Sequence, residues 1–364
     1  MKILMTGGPV FEYLDSVKII TNKFKGGRMA ALADKICDLG PDVYYLCSKD
    51  SIKPETVTAT IPHDGFADYK DKVLSMAPKV DAIVLGAAVA NLIPNTPWKT
   101  TKFPSHLFKE GDKINIEFMI APRIINMIKP IVPRTTLIGF KLLSNVLHDE
   151  LIDAAYTTLV ESNANFIIAN DTVDLNKKFI VTKEKSIIPL QESNLPNFIV
   201  DAVDDKYYST HSSKVMCDDY EKSDVFNNLC NKYEKQLMAG YDNKRQIFFG
   251  CVAVREEEGF IISTRGKKKL NDITHVINVD RSNLKIEISG LKASLNAPLI
   301  DNIFKKNSNV DSIVHYHGID ESLVKLPYAF PGTIKDSVRE IPDKSFYIEY
   351  HGTFLLLDKE RNVL

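Results

Sequence analysis

The sequence has no Cys-x-x-Cys pair; its five cysteines, Cys37, Cys47, Cys217, Cys230 and Cys251, are scattered singly. That spacing gives no sign of a disulfide framework and fits a reducing compartment. The chain also lacks an excess of either charge, with a formal net of −1 at pH 7. Without clustered Lys and Arg, a nucleic-acid partner is not expected. The short run Lys267-Lys268-Lys269 reads as a solvated turn. No apolar run approaches the length of a membrane span, so no membrane association is expected. The opening Met1-Lys2-Ile3-Leu4-Met5-Thr6-Gly7-Gly8 is a short strand entering a turn, too short for a signal-peptide core. These absences lead to the expectation of a soluble, cytoplasmic protein.

What is present fills two domains. At 364 residues and 44% hydrophobic content, the chain can build more than one core. Over its first 200 residues, short apolar runs alternate with helical patterns. Ile3–Met5, Val43–Cys47, Val80–Leu85, Thr136–Phe140 and Phe166–Ala169 read as strands. Gly27–Leu39, Tyr69–Met76, Pro122–Ile128 and Asp149–Ser162 read as helices, and Lys177–Leu190 as a hairpin. Strands separated by helices predict an α/β, Rossmann-like parallel sheet with helices on both faces. Ligands of such sheets sit beyond the carboxyl ends of the strands, where Gly7-Gly8, Ala87-Ala88, Lys141 and Asn170-Asp171 gather.

Polar residues then dominate, and 204–223 reads as a linker between a domain at 1–203 and one at 224–364. The second half offers a helix at 224–239 and strand-like runs at Ile247–Val254, Phe260–Ser263, His275–Val279, Ile313–His317 and Phe346–Leu357. A mainly antiparallel sheet with helices is expected there, and the halves show no internal repeat.

Two constellations carry chemistry. In the first half, Gly7-Gly8 after a strand and Gly26-Gly27 before a helix would let backbone N–H groups approach a phosphate. Ordinary turns would show the same glycines. The polar loop Lys99–Lys113 could close a lysine over a nucleotide; a plain surface loop has the same composition. The succession Thr6-Gly7-Gly8, Asp15-Ser16-Val17-Lys18-Ile19-Ile20-Thr21-Asn22, Gly26, Gly86-Ala87-Ala88-Val89-Ala90, Lys102-Phe103-Pro104-Ser105, Gly139-Phe140-Lys141-Leu142 and Ala169-Asn170-Asp171 resembles the phosphopantothenoylcysteine synthetase family over residues 1–200.

The resemblance implies a ligase of coenzyme A biosynthesis. It would activate the carboxylate of phosphopantothenate as an acyl-nucleotide and then join it to cysteine. ATP or CTP with Mg2+ would be used. Asn22 would hydrogen-bond the acyl intermediate and Lys102 would stabilise the departing phosphates. Gly7, Gly8, Gly26, Ala88, Phe140, Lys141 and Asn170 would line the nucleotide. Phe140-Lys141-Leu142 looks more like the ATP-using members. The likeness starts at Met1, so the flavin-binding decarboxylase often fused upstream is not expected.

In the second half, His315 and His317 share one face of a strand, and His351 precedes a glycine on another. Three imidazoles suit zinc or a similar divalent ion and leave a coordination position open. A pair of half-buried histidines with an unrelated third is the plainer explanation. Gly259–Gly266, Lys292–Leu299, Val310–Gly318 and His351-Gly352 resemble, in order, the class II aldolase/adducin family. That resemblance implies a metal at His315, His317 and His351, with Ser263, Arg265, Ser294 and Asn296 around a second pocket. The family's catalytic Glu is Asn296 here, and an amide is no general base near neutral pH.

Three functions stay open: a ligase fused to an aldolase-like metal domain, a sugar-phosphate aldolase or epimerase with an accessory nucleotide domain, and a non-catalytic scaffold. Both resemblances imply a homo-oligomer acting on small molecules.

Overall fold

The computed structural model describes residues 1–98, 100–213 and 224–364. Lys99, part of the expected loop, and 214–223 with Cys217 lie outside the described residues. The chain divides into two compact units, Met1–Asp204 and Asp205–Leu364.

The first unit is built on β1 (Lys2–Thr6), α1 (Gly27–Asp38), β2 (Asp42–Ser48), β3 (Ala59–His63), α2 (Gly65–Met76) and β4 (Ala82–Leu85). It continues through α3 (Ile125–Ile131), β5 (Thr136–Leu143), α4 (His148–Ser162), β6 (Phe166–Asp171), β7 (Asp174–Thr182), β8 (Ile187–Gln191) and α5 (Leu195–Asp204). The sheet order is β3-β2-β1-β4-β5-β6-β7-β8. The strands β1 to β6 run parallel, and β7 and β8 add an antiparallel edge. The chain therefore winds outward from β1 to β3, returns, and winds the other way from β4. The crevice between β1 and β4 is the switch point at which such sheets bind ligands.

Alternation sorts the core. Leu4, Leu46, Ile83, Leu137 and Ile167 face one side with Tyr69, Val73, Ile128, Leu151 and Tyr156 from α2, α3 and α4. Ile3, Met5, Val43 and Tyr45 are fully buried on the other side, where α1 packs on β2 and against α5. Both faces are covered, which is why these strands read as unbroken apolar runs. Leu39, the expected last residue of this helix, lies just beyond α1 and is 46% exposed.

The second unit holds β9 (Ser209–Ser213), α6 (Asp224–Lys232), α7 (Glu234–Met238), β10 (Cys251–Arg255), β11 (Phe260–Ser263), β12 (Ile273–Asp280) and β13 (Lys285–Ser289). After them come α8 (Ala297–Lys306), β14 (Ser312–Tyr316), β15 (Val324–Leu326), α9 (Ile334–Val338), β16 (Phe346–Ile348) and β17 (Gly352–Leu357). Its sheet has the order β9-β13-β12-β11-β10-β14-β17-β16-β15. Pairing is antiparallel except at the two edges, β9 with β13 and β15 with β16.

Three expectations are corrected here. The stretch 204–223 is not simply a linker: α5 runs through Asp204, and Ser209–Ser213 is an edge strand. An edge strand made of Ser, Thr and His has the composition of a loop, which hid it. The helix expected over 224–239 is two helices broken at Tyr233, whose side chain is buried in the core. The run Phe346–Leu357 is a hairpin: Tyr350, at φ 59, and Gly352, at φ 148, turn the chain back between β16 and β17.

Candidate functional site

In the first unit the loops leaving β1 and β4 run on side by side, Pro9 pairing with Ala88 and Val10 with Val89. Two glycines make the next approach possible. Gly26, at φ 85, sits so close to Gly8 that an added Cβ would lie 2.6 Å from the Gly8 Cα. Gly8 is itself at φ 76, where a side chain would strike Ser51. These backbones and the carboxyl ends of β4, β5 and β6 enclose a cavity of about 810 Å3.

Gly8, Asn22, Gly26, Ala88, Phe140, Lys141 and Asn170 all line that cavity. Gly7 does not: its N–H is bonded to Leu46 O, and a Cβ there would run into Tyr45 and Met29. It serves the packing beneath the cleft. Asn22 is already oriented, because its Nδ2 donates to Ala88 O at 3.0 Å. The helix α1 starts at the cavity with no side-chain cap on its N-terminal N–H groups, a setting that favours an anion.

Cations the sequence did not single out reach the same cavity. Arg28 is ion-paired with Glu192, and Lys178 Nζ lies 3.6 Å from the same carboxylate. Lys178 is 4% exposed, and burial pulls its pKa below the ordinary lysine value despite Glu192. A lysine directly before the apolar run Phe179-Ile180-Val181 of β7, and an arginine in the first turn of α1 against the helix dipole, are the signals that could have marked them.

Lys102 is exposed and is not among the residues lining the cavity. It stands between two pinned neighbours. Ser16 N donates to Thr101 O at 3.1 Å, and Phe103 N donates to Asp15 Oδ2 at 3.1 Å. Asp15 is fully buried and also accepts from Val17 N, Lys18 N and Lys18 Nζ. The Lys18 bond, foremost, holds its carboxyl well below the usual range.

In the second unit, His315 and His351 are buried and His317 is half-buried, and one ring nitrogen from each lies within 4.8 Å of the others. Nitrogens sharing one zinc at about 2.0–2.1 Å would be about 3.4 Å apart, so the set closes on an ion by small side-chain shifts. His315 stacks on Phe354 at 4.1 Å, and His317 on Phe249 at 5.0 Å. At Gly352 a Cβ would lie 2.2 Å from Tyr316 O and 2.9 Å from His317 Cα, so only glycine lets β17 approach the histidines. Burial holds all three imidazoles neutral, His317 down to about 3. Buried His315 Nε2 and His351 Nδ1 have no hydrogen-bond partner. Neutral imidazoles with unpartnered lone pairs aimed together fit a divalent cation.

The residues expected around a second pocket are divided. Asn296 is buried and bonded to His351 Nε2 at 3.2 Å. Ser294 Oγ accepts from Asn296 N, and Ser294 N bonds to Ser263 O, so the two segments lie side by side. The Ser263 hydroxyl instead accepts from Val252 N inside the sheet at 3.0 Å, because its side chain points inward from β11. Arg265 lies beyond β11 and is exposed.

A mainly parallel sheet wound in both directions, with a glycine-walled cavity at its switch point, defines a protein of the doubly wound α/β class. Residues 1–198 match the family of the DNA/pantothenate metabolism flavoprotein C-terminal domain, and the chain belongs to it. Among similar curated proteins is the coenzyme A biosynthesis bifunctional protein CoaBC of Thermococcus kodakarensis. It is 27% identical over 171 residues, 46% of this chain and 41% of that one. CoaBC of Bacillus subtilis is 27% identical over 170 residues, covering 46% and 40%. This chain thus spans about two fifths of the length of these relatives. A solved structure of a Cab2 mutant shares the fold, with a TM-score of 0.50 and 15% identity over 56% of this chain and 85% of that one. An L-fuculose 1-phosphate aldolase structure overlaps 36% of the chain and 74% of its own at 16% identity and a TM-score of 0.28, too slight a likeness to assign the second unit. Among the described residues, no helix is long and apolar enough to cross a membrane.

Proposed function

We propose that the first unit is a nucleotide-dependent carbon–nitrogen ligase of coenzyme A biosynthesis, acting on phosphopantothenate and cysteine. The observation that carries this is the cavity where Asn22, Lys141, Asn170 and two back-to-back glycines meet at the switch point of a sheet of this family. A carboxylate is a poor electrophile, so a carboxylate oxygen attacks the α-phosphorus of ATP or CTP and pyrophosphate leaves. The cysteine amine then attacks the acyl carbon, the C–N bond forms, and the nucleoside monophosphate departs as the amine loses its proton. Mg2+ would accompany the triphosphate.

The uncapped start of α1 and Lys141 suit the phosphates, with Lys178 and Arg28 at the margin. Asn22, held by Ala88 O, keeps its carboxamide oxygen and second N–H for the acyl group. Lys102 acts only if its loop closes over the cavity. Pyrophosphate release from ATP or CTP should require phosphopantothenate, and product should require cysteine. Asn22→Ala and Lys102→Ala should each lower release by roughly 10²-fold. Release by both variants at the unaltered rate would remove the assignment.

For the second unit we propose a divalent cation, zinc or a similar ion, held by His315, His317 and His351. The two unpartnered buried nitrogens carry this reading. Aldol chemistry at this site lacks a base at Asn296, which favours binding or assembly over carbon–carbon cleavage. Zinc retained by a His315→Ala/His317→Ala variant would end the reading. A cytoplasmic homo-oligomer belongs to the same picture. Exposed Leu92, Phe118 and Ile120, on one side of the ladder of Leu92–Asn95 with Glu117–Ile120, offer a second copy an apolar face. Light scattering of an Ile120→Asp variant tests it.

A further inference from the structure

An imidazole that binds a cation through one nitrogen needs the other fixed as a donor, or the wrong tautomer blocks the site. His315 has such a partner in the main chain. Its Nδ1 lies 3.0 Å from Thr353 O, and a carbonyl only accepts, so Nδ1 carries the proton and Nε2 the lone pair. His351 finds its partner in a side chain. Its Nε2 lies 3.2 Å from Asn296 Oδ1, which leaves the lone pair on Nδ1.

Two observations separate Asn296 from an ordinary residue at a helix start. It occupies the N-cap of α8, a place where asparagine usually bonds the first helical N–H groups, yet its side chain makes no cap bond. It is also 5% exposed, on the side of the sheet where the buried Cys251 faces His315 across β10 and β14. An amide has one accepting and one donating end. Here the accepting end is turned to His351 rather than to the helix.

We propose that Asn296 is a positioning residue for a cation site: its carbonyl fixes the His351 tautomer whose Nδ1 joins His315 Nε2 and His317 around one ion. This rests on the cation reading given above. Three neutral nitrogen donors and no carboxylate select Zn2+, Co2+ or Ni2+ over Mg2+ and Ca2+. The remaining position is left for water or an anionic oxygen.

The test uses the full chain, with zinc affinity measured by chelator competition for the unaltered protein and for Asn296→Leu, Asn296→Ala and Asn296→Asp. Histidine tautomers in the metal-free forms are read by nitrogen-15 resonance. One zinc per chain is expected, weakened about 10–100-fold by Leu and Ala. Asp, which accepts the same hydrogen bond, should bind at least as tightly as Asn. His351 should hold the Nε2–H tautomer with Asn or Asp and lose it with Leu or Ala. Should Leu fail to fold, Ala and Asp decide the matter. Tight zinc in every variant, with the tautomer unchanged, overturns the role of Asn296 and leaves the cation reading standing. No zinc on the unaltered protein overturns both, and millimolar Mg2+ displacing zinc overturns the selectivity.

Discussion

At Gly8 and Gly26 the first unit brings two main chains together and leaves a cavity beside them. At His315, His317 and His351 the second unit brings three side chains together and leaves His315 Nε2 and His351 Nδ1 without partners. One site is made by omitting side chains, the setting proposed above for a large, charged ligand. The other is made by burying imidazoles, the setting proposed above for a small cation. The close approach in the first site fails when a Cβ enters. A site of the second kind fails when one donor is removed.

The sharpest way to break that contrast is to damage each site in its own terms. Gly26→Val places a branched side chain at φ 85 against the Gly8 backbone. Nucleotide binding should fall by at least about 10²-fold in calorimetry, with zinc content unchanged. His315→Ala/His317→Ala should abolish zinc and leave nucleotide affinity within about twofold. A variant that loses both ligands would show that the two sites are not separate.

A smaller effect sharpens the account of the first site. Asp15 holds the turn before Asn22 and the loop bearing Lys102 through four hydrogen bonds. Replacing it with Ala frees Phe103 N and the Lys18 ammonium together. The expected outcome is a fall in kcat on the order of 10²-fold, because a displacement of about 1 Å at a reacting group costs that much. Nucleotide Kd should change little, and limited proteolysis near 100–113 should quicken. An unchanged kcat would separate this loop from the chemistry.

The two sites differed also in how far sequence exposed them. The parallel sheet was legible because strands buried on both faces read as apolar runs, and the small residues after each strand mark its carboxyl end. Asn22, Ala88, Lys141 and Asn170 then fall on one cavity. Arg28, Lys178 and Glu192 were not legible, since they come from α1, β7 and the segment before α5, and only the fold joins them. Lys102 was read from its motif, but the pins at Thr101 and Phe103 that set its place are long-range hydrogen bonds. In the second unit the His-x-His pair showed itself through strand alternation. The role of Asn296 did not: an asparagine before Ala-Pro-Leu looks like a helix cap, and only its burial beside His351 redirects it.

The smallest expected effect concerns a histidine outside both sites. His63, at the end of β3, is 1% exposed, and neither ring nitrogen has a hydrogen-bond partner. It packs edge-on to Tyr69, whose ring centroid is 5.1 Å away. Burial lowers its pKa to about 4, against opposing attraction from Asp68. The unfolded chain takes up a proton near pH 6.5 that the folded chain refuses until about pH 4. Stability is therefore undiminished above pH 6.5. It declines as pH drops from there towards 4, by at most about 1.4 kcal/mol per unit from this one group. The neutral histidines of the second unit add slopes of the same sign, and these are common to the unaltered protein and a His63 variant. His63→Phe keeps the aromatic packing and should flatten the urea-unfolding free energy between pH 6.5 and 5 by that single-group amount, in zinc-loaded protein. An equal slope in both proteins would mean that His63 takes up its proton in the folded state as readily as in water.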